Sequence, residues 1–512
     1  MPFSEPTTVW GLVAGAAQSH PERVLFRDSR GRSLTAAELR NAAERVAAGL
    51  GVQPGDVVSW QLPSVLESVV LLAALARVGT VQNPIIPILR EQEVRHITAT
   101  TGTRLLIVPE LWRGFPHGDM AHRLGEALGF GVLALALEGA TGPDLCLPSG
   151  DPSNLPPAPT TDEACRWVYF TSGSTAVPKG VRHTDASVIA SSFGMTDGLG
   201  IRAGDVYPIA WPITHIGGIS MTSAVLRAGG ELVLFDTFDP ATTADSMAAV
   251  QPTILGTGVP FFRAYLGAQR RHGREPLYPA LRAFAAGGAP TPPEILKELR
   301  EVFGIDVVIN SWGLTEFPIA SCPSPSDPVE KLALTVGRPS PDVEVRVVDG
   351  ELRLKGPQCF VGYVDASLDA EAFDDEGWLR TGDLGEVDSE GYVIVTGRLK
   401  DVIIRNGENI SVLELEDVLL RHPDIVDVTV LGLPDARTGE RVCAVVVPAP
   451  GREVDLGTIA SHCSAEGIAR QKTPEQLEIV DQIKRNPMGK VVKADLRGQI
   501  LSRGGDDGRR AL

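Results

Sequence analysis

One loop constrains this chain more than any other segment. Residues 169–180 are Tyr-Phe-Thr-Ser-Gly-Ser-Thr-Ala-Val-Pro-Lys-Gly, which places four aliphatic hydroxyls, two glycines and one lysine in a single turn-prone segment. Backbone N–H groups beside glycine, hydroxyl donors and an ammonium group together suit a phosphate. A Walker loop is excluded, because Pro178 precedes Lys179 and Gly180 follows it. Taken alone, the composition also fits a solvated loop.

The first hundred residues alternate between strand and helix patterns. Thr35 to Glu38 form a capping-box sequence that predicts a helix start, and residues 65–78 are typical of a buried helix. Residues 57–62 and 81–86 are typical of strands. Repetition of this order favours a parallel sheet covered by helices, which binds ligands beyond the carboxyl ends of its strands. The sequence therefore predicts an α/β fold with the phosphate loop at such an edge.

Size, charge and cysteines limit the class of protein. The 512 residues exceed one ordinary core, so two or more domains are expected. A formal net charge of −17 disfavours a general nucleic-acid binder. The six scattered cysteines predict reduced thiols in a cytoplasmic protein. Charges interrupt the longer apolar runs and the N-terminus lacks a signal-peptide pattern, so we expect neither an integral membrane segment nor export.

Three further segments follow the phosphate loop in a recognisable order. They are Ser311–Glu316 (Ser-Trp-Gly-Leu-Thr-Glu), Thr381–Asp383 with Gly397–Arg398, and Pro487–Lys490 (Pro-Met-Gly-Lys). With the loop, they resemble the motifs of the adenylate-forming (AMP-binding) superfamily, in its acyl-CoA synthetase branch. The resemblance covers nearly the whole chain. It implies a large N-terminal domain of helix-covered, mainly parallel sheets in residues 1–398, and a small mobile α+β lid domain in residues 399–512, with a hinge near Lys400.

The resemblance also implies a reaction. An ATP- and Mg²⁺-dependent ligase of this kind activates a carboxylic acid as an acyl-adenylate and then forms a thioester with coenzyme A, as in fatty acid metabolism. Because a carboxylate must attack the α-phosphorus while pyrophosphate leaves, the site mainly positions reactants and neutralises charge. The alternatives are a stand-alone enzyme that loads a carrier protein and a non-catalytic nucleotide- or acyl-binding sensor. The sequence does not decide the oligomeric state, for which a homodimer is one option.

The resemblance assigns a set of residues to the nucleotide. Glu316 is implied as the Mg²⁺ ligand, Thr315 as a donor to the α-phosphate, and Asp383 with Arg398 as partners of the ribose hydroxyls. Trp312 takes the place of a usual tyrosine, so its ring covers adenine without a phenol. The full implied set is Thr171, Ser172, Gly173, Ser174, Thr175, Lys179, Gly288, Ala289, Pro290, Trp312, Gly313, Thr315, Asp383, Arg398 and Lys490.

Two lysines, a histidine and a turn are implied in the two half-reactions. Lys490 is implied to reach from the small domain to the reacting oxygens, alongside Lys179 of the phosphate loop. His215 is implied to lie beside the acyl and thiol route. The small domain is then implied to rotate about the hinge, which withdraws Lys490 and presents a different surface of that domain to the thiol. The residues implied for the coenzyme A route are Lys400, Asn406, Gly407 and Glu408. Taken singly, Lys490 also fits a solvated lysine and His215 a structural histidine.

The acid is expected to be apolar and to lack an α-amino group. Family members that activate α-amino acids have an aspartate past the phosphate loop, whereas this chain has the neutral segment Trp211–Gly218, and an unpaired buried ammonium is costly. The implied pocket segments, 256–260 and 287–290 with Gly313, carry no large charged group. The chain departs from the family pattern at Ala176, which replaces a usual glycine, and at Arg405-Asn406, which replaces Ser-Gly.

Overall fold

The computed structural model describes residues 7–137, 145–161, 164–171, 178–288, 291–485 and 490–503. The helices are α1 Val9–Ser19, α2 Ala36–Gly49, α3 Leu66–Val78, α4 Glu91–Thr101, α5 His117–Leu128, α6 Asp185–Phe193, α7 Ile216–Ala228, α8 Thr243–Ala248, α9 Val259–His272, α10 Pro293–Phe303, α11 Val329–Leu334, α12 Asp369–Ala372, α13 Val412–Leu420, α14 Leu456–Ala465 and α15 Lys493–Arg503. In the described part of the chain, no helix has both the length and the apolar character that crossing a bilayer requires.

The strands are β1 Val24–Asp28, β2 Ser33–Thr35, β3 Val57–Trp60, β4 Val81–Pro84, β5 Leu105–Pro109, β6 Gly131–Leu135, β7 Cys165–Thr171, β8 Lys179–Thr184, β9 Val206–Ile209, β10 Glu231–Leu234, β11 Ile254–Thr257, β12 Ala283–Ala286, β13 Val308–Asn310, β14 Glu344–Val348, β15 Glu351–Lys355, β16 Leu379–Val387, β17 Val393–Arg398, β18 Ile403–Arg405, β19 Glu408–Ile410, β20 Ile425–Asp435, β21 Gly439–Pro448 and β22 Gln476–Ile479.

The largest sheet has six strands in the order β6-β5-β3-β4-β7-β8. Its neighbours pair in parallel except for β7 and β8, which are antiparallel. α3 connects the parallel strands β3 and β4, and nearly all of its side chains are buried. The predicted α/β class with helix-covered, mainly parallel sheets is therefore confirmed for this part of the chain.

Two smaller sheets share the same hydrophobic core. One has the order β2-β1-β10-β9 and the other is the parallel sheet β11-β12-β13. Apolar side chains from all of these strands join one buried cluster with α1, α2, α3, α7 and α9. The carboxyl ends of β11 and β12 lead into residues 257–258 and 287–288, so two of the predicted acid-pocket segments lie at one edge of a parallel sheet.

An antiparallel sheet of β14 to β17 precedes the predicted hinge. Its strands follow one another in sequence order and enclose a separate core, which includes Phe317, Leu352 and Val393. Asp383 on β16 and Arg398 on β17 are direct cross-strand partners. The sheet therefore brings the two predicted ribose-binding residues side by side.

The C-terminal part of the chain forms its own α+β unit. Its sheet has the order β19-β18-β21-β20, and β22 pairs in parallel with β21. The core of this unit begins at Ile403 and includes side chains from α13 and α14. The small α+β domain is thus confirmed as part of the fold class. The boundary after residue 398 and the hinge near Lys400 stay predictions; a 3₁₀ turn covers Leu399–Asp401 there.

Local sequence patterns explain several element ends. Glu38 N donates to Thr35 Oγ1 and Thr35 N donates to Glu38 Oε2, which confirms the predicted capping box of α2. The predicted helix 65–78 matches α3. The predicted strands 57–62 and 81–86 are both shorter, ending at Trp60 and Pro84. A proline at the end of β4 suits that position, because proline cannot donate to a neighbouring strand.

Candidate active site

The phosphate loop lies in a β-hairpin and not in a strand-to-helix turn. Thr171 at the end of β7 is the direct partner of Lys179 at the start of β8. The loop therefore leaves the carboxyl end of a strand, as predicted, and Lys179 is held by the returning edge strand. Ser172, Gly173, Ser174, Thr175 and Ala176 lie outside the described residues.

Lys179 and Glu316 both contact one tyrosine, Tyr363. Lys179 Nζ lies 5.5 Å from the centre of the Tyr363 ring, and Tyr363 Oη donates to Glu316 Oε1 over 2.8 Å. Burial and the charge of Glu316 raise the pKa of Tyr363 well above its usual value, so the phenol stays protonated and acts as a donor. Sequence analysis did not identify Tyr363, because it lies outside the four motifs that carry the predicted site residues.

Thr315 is positioned by a histidine from β8. His183 is fully buried, and its Nε2 lies 2.8 Å from the Thr315 carbonyl oxygen. Burial lowers the pKa of His183 to about 4, so the imidazole is neutral, and the nitrogen facing a carbonyl must carry the proton. His183 therefore joins the phosphate-loop hairpin to the Ser-Trp-Gly-Leu-Thr-Glu segment, a contact that sequence analysis missed.

Trp312 has a polar role in place of the missing phenol. Its Nε1–H donates to Asp383 Oδ2 over 2.8 Å, while Arg398 Nε lies 2.7 Å from Asp383 Oδ1. Asp383 is only 2% exposed; Oδ2 accepts the indole hydrogen bond, and Oδ1 is held by the ion pair with Arg398. Although Trp312 lacks the usual phenol, its indole supplies a hydrogen-bond donor at this position.

Lys490 lies near several charged side chains of residues 383–401. Burial and the positive charges of Arg398 and Lys400 lower the pKa of Lys490 to about 8, while Asp383 and Asp401 act in the opposite direction. Burial also lowers the pKa of Lys400, which interacts with Arg398, Asp383 and Glu316 as well. The two predicted lysines of the C-terminal part are thus close to the predicted nucleotide-binding residues. Pro487, Met488 and Gly489 lie outside the described residues.

His215 caps α7 beside a narrow cavity. Gly217 N donates to His215 Nδ1 over 3.2 Å, so neutral His215 carries its proton on Nε2. Burial and the nearby charge of Lys490 lower the pKa of His215 to about 4, and the ring is therefore neutral at physiological pH. His215, Thr214, Thr315 and apolar side chains of β4, α4 and β7 line a cavity of about 20 Å³, room for roughly one water molecule.

The predicted acid-pocket segments adjoin one another at the ends of β11 to β13. Thr257 Oγ1 donates to the Gly287 carbonyl over 3.2 Å, and Ser311 Oγ donates to the Ala286 carbonyl over 3.0 Å. Gly288 has φ 81°, a conformation that favours glycine. A side chain on Gly313 would come within 2.0 Å of the Pro318 carbonyl oxygen. Ala289 and Pro290 lie outside the described residues.

The turn predicted for the coenzyme A route is exposed. Asn406 and Gly407 have φ 51° and 79° and connect β18 to β19 in a two-residue hairpin, the geometry that an Asn-Gly pair prefers. This turn geometry accounts for the asparagine that departs from the family pattern. Arg405 makes two hydrogen bonds to Glu475, which fix the base of the hairpin. Glu408 is exposed as well. In this structure Lys490, and not the turn, lies near the predicted nucleotide-binding residues Asp383 and Arg398.

This fold, with cationic and acidic groups from two domains around one site, is that of an adenylate-forming enzyme. The family model described as AMP-binding enzyme matches residues 13–364, and the model described as AMP-binding enzyme C-terminal domain matches residues 414–490. The chain belongs to the AMP-binding enzyme family. The predicted resemblance is confirmed, and with it the activation of a carboxylic acid through an adenylate, with ATP and Mg²⁺ as cofactors.

Individual relatives cover almost the whole chain. A medium-chain fatty-acid–CoA ligase of Escherichia coli is 31% identical over 95% of this chain and 89% of its own length. A salicyl-AMP ligase / salicyl-S-ArCP synthetase of Mycobacterium tuberculosis is 31% identical over 96% of this chain and 90% of its own length. The crystal structure of ATP-bound MatB from Rhodopseudomonas palustris, 27% identical, superposes with a TM-score of 0.83 over 95% of this chain and 98% of that chain.

The indole of Trp312 provides a first test of the site. Trp312→Phe keeps an aromatic ring but leaves Asp383 Oδ2 without its donor, and a hydrogen bond to a charged group contributes about 1.5–3 kcal/mol. We expect ATP affinity, measured by calorimetry, to fall about tenfold or more. Trp112→Phe, which removes an indole beyond β5, is the control and should leave ATP affinity unchanged. Equal affinities for both variants would contradict the assigned contact.

The turn before α7 provides a second test. A side chain on Gly218 would lie 1.8 Å from the Ile213 carbonyl oxygen, whereas one on Gly217 would meet nothing closer than 3.4 Å. Gly218→Ala should therefore displace the segment that carries His215 and lower the free energy of unfolding by about 1–3 kcal/mol. The midpoint of thermal unfolding should fall accordingly. Gly217→Ala is the matched control. Identical midpoints in calorimetric scans would show that the turn tolerates a side chain at both positions.

Proposed function

We propose that this protein is an ATP- and Mg²⁺-dependent acid:CoA ligase that forms an acyl-adenylate and then a coenzyme A thioester. The observation that carries the proposal is the position of Lys490. This lysine comes from the C-terminal α+β unit and interacts with Arg398, Lys400 and Asp383. Lys179 and Glu316 of the large domain both contact Tyr363. Two ammonium groups from different domains and the Glu316 carboxylate suit a triphosphate with its metal ion.

In the first half-reaction, these residues neutralise charge and orient the nucleotide. Lys179 would bind the leaving phosphates, Thr315 the α-phosphate, and Lys490 the oxygens at the reacting centre. Asp383, oriented by Trp312 and Arg398, would accept the ribose hydroxyls. Glu316 suits Mg²⁺, which is usually held by one or two carboxylates together with phosphate oxygens. When bound, Mg²⁺ supplies charge stabilisation at the phosphate oxygens.

The second half-reaction would need a different domain arrangement. Here Lys490 lies near Asp383 and Arg398, and the turn of residues 406–408 faces solvent. Rotation of residues 399–512 about Lys400 would withdraw Lys490 and bring the turn to the thiol. His215 would donate through Nε2 to the acyl oxygen or to the thiol sulfur. Its ring is neutral, and its Nδ1 already accepts a hydrogen bond from Gly217.

The acid and the thiol are the finer parts of the proposal. The segments at the ends of β11 to β13 carry no large charged side chain, which supports an apolar acid without an α-amino group. The Escherichia coli relative is named for medium-chain fatty acids and coenzyme A, which supports coenzyme A as acceptor. The Mycobacterium tuberculosis relative is named for an ArCP thioester, so loading of a carrier protein is the second candidate.

We keep the cytoplasm as the proposed location of the enzyme. All six cysteines are free thiols in the structure. Free thiols spread through the chain suit a reducing compartment, where disulfides are rare.

A panel of carboxylic acids tests the proposed function directly. Purified protein is incubated with ATP, Mg²⁺ and each acid, with and without coenzyme A, and pyrophosphate release is measured. We expect release with apolar acids, stimulated by coenzyme A, and little with α-amino acids. Stimulation by carrier proteins but not by coenzyme A would favour the second candidate. ATP binding without turnover on any acid would favour a non-catalytic sensor.

The pKa of Lys490 predicts a pH profile for the first half-reaction. Its pKa is lowered from an ordinary value of 10.5 to about 8, so the ammonium is present below pH 8 and is lost above it. The kcat/KM of acid-dependent ATP–pyrophosphate exchange should therefore fall as pH rises through about 8, since this quantity reports the free enzyme. Lys490→Arg should abolish that alkaline decline, because arginine stays charged.

A second variant separates this role from general damage. Lys490→Ala should sharply reduce ATP–pyrophosphate exchange and leave thioester formation from supplied acyl-adenylate largely intact. Equal loss of both half-reactions, or an unchanged alkaline decline in Lys490→Arg, would contradict the role assigned to Lys490.

A further inference from the structure

Tyr363 contacts two residues of the candidate site, and none of the proposed steps uses it. We propose that Tyr363 is a positioning residue that couples the phosphate-loop lysine to the metal-binding carboxylate. The inference rests on the proposed function, because it takes Lys179 and Glu316 as the phosphate and Mg²⁺ ligands. Tyr363 itself would touch neither the nucleotide nor the metal ion.

The side chain of Tyr363 reaches both charged groups at once. Its ring lies beneath Lys179, with Nζ 5.5 Å from the ring centre, a distance typical of cation–π contacts. Its hydroxyl donates to Glu316 Oε1 over 2.8 Å. The residue is only 7% exposed, so water competes little for either contact. A single side chain therefore fixes where the ammonium and the carboxylate lie relative to each other.

The backbone of Tyr363 is held by the same strand that carries Lys179. Val364 N donates to the Gly180 carbonyl, Arg182 N donates to the Gly362 carbonyl, and Val361 N donates to the Arg182 carbonyl. These bonds extend the edge of β8 with residues 361–364. Tyr363 N also donates to Asp369 Oδ1 over 2.7 Å. The ring position therefore depends on the β8 edge and not on a bound ligand.

Phe360, three positions before Tyr363, holds the backbone of Glu316. Phe360 N donates to the Glu316 carbonyl over 2.9 Å, and the Phe360 ring packs edge-on against Tyr363 with 4.9 Å between ring centres. Residues 360–363 thus bind Glu316 through both its main chain and its side chain. A hydrogen bond to one carboxylate oxygen sets the plane of the carboxylate, and outer partners of this kind typically change metal affinity by about 10- to 100-fold.

Two substitutions separate the hydroxyl from the ring. Tyr363→Phe removes the donor to Glu316 and keeps the ring under Lys179, whereas Tyr363→Leu removes both. ATP affinity is measured by calorimetry in Mg²⁺ and in EDTA. For Tyr363→Phe we expect affinity in EDTA within about twofold of the natural protein, and a gain from Mg²⁺ that is about tenfold smaller. Tyr363→Leu should also lose affinity in EDTA, because the ammonium loses its aromatic partner.

The chain contains a matched control. Tyr392 Oη donates to a carboxylate oxygen of Asp327 over 2.8 Å, and Lys331 Nζ lies 4.7 Å from the centre of its ring. Tyr392→Phe therefore removes the same kind of hydrogen bond outside the nucleotide cluster. It should leave both ATP affinity in EDTA and the gain from Mg²⁺ unchanged. Thermal unfolding of both phenylalanine variants checks that each protein is folded.

The outcomes distinguish the inference from the function on which it rests. Natural protein that shows no gain in ATP affinity from Mg²⁺ would overturn both. If the natural protein shows that gain and Tyr363→Phe retains it in full, only the coupling role is overturned. A loss of the gain in Tyr392→Phe equal to that in Tyr363→Phe would also overturn it, since the effect would then reflect general stability.

Discussion

The carboxylate of Asp383 is the interaction on which the arrangement of this site depends. It is almost fully buried, and a buried charge is tolerated only when it is paired. Trp312 and Arg398 pair with it directly, and its negative charge favours the protonated forms of Lys400 and Lys490. Without it, Arg398, Lys400 and Lys490 would lose one of the negative charges that offset their mutual repulsion, and Asp401 would remain as another. One residue of β16 thus connects Trp312 and Arg398 with two lysines of the C-terminal part of the chain.

The other half of the site depends on an exposed sheet edge. β8 is the last strand of its sheet, so its outer edge can pair with residues 361–364. This pairing brings Tyr363 to Lys179 and Glu316, while His183 on the same strand holds Thr315. Binding and catalytic residues are often carried by loops that a rigid scaffold positions. Here a short strand anchors two distant segments, residues 315–316 and 361–364.

Much of the fold and the site could be predicted from short sequence patterns. The α/β class follows from alternating strand and helix periodicity, and the capping box at Thr35 involves residues only three apart, so local sequence determines it. Lys179, Glu316, Asp383 and Lys490 were found because each lies in a compact motif. Tyr363 and His183 were not found, because their functional contacts join residues 47 and 132 positions apart and leave no local pattern.

By itself, the sequence determined the family, the fold class and the charged groups available for a nucleotide, since these are written in local order and periodicity. The tertiary structure decided how those groups are paired. It assigned the indole of Trp312 to Asp383 and brought Tyr363 into contact with both Lys179 and Glu316. It also left the turn at Asn406 exposed while Lys490 is half-buried. The physical reason is that desolvation and hydrogen bonding act over a few ångströms in space, whatever the separation along the chain.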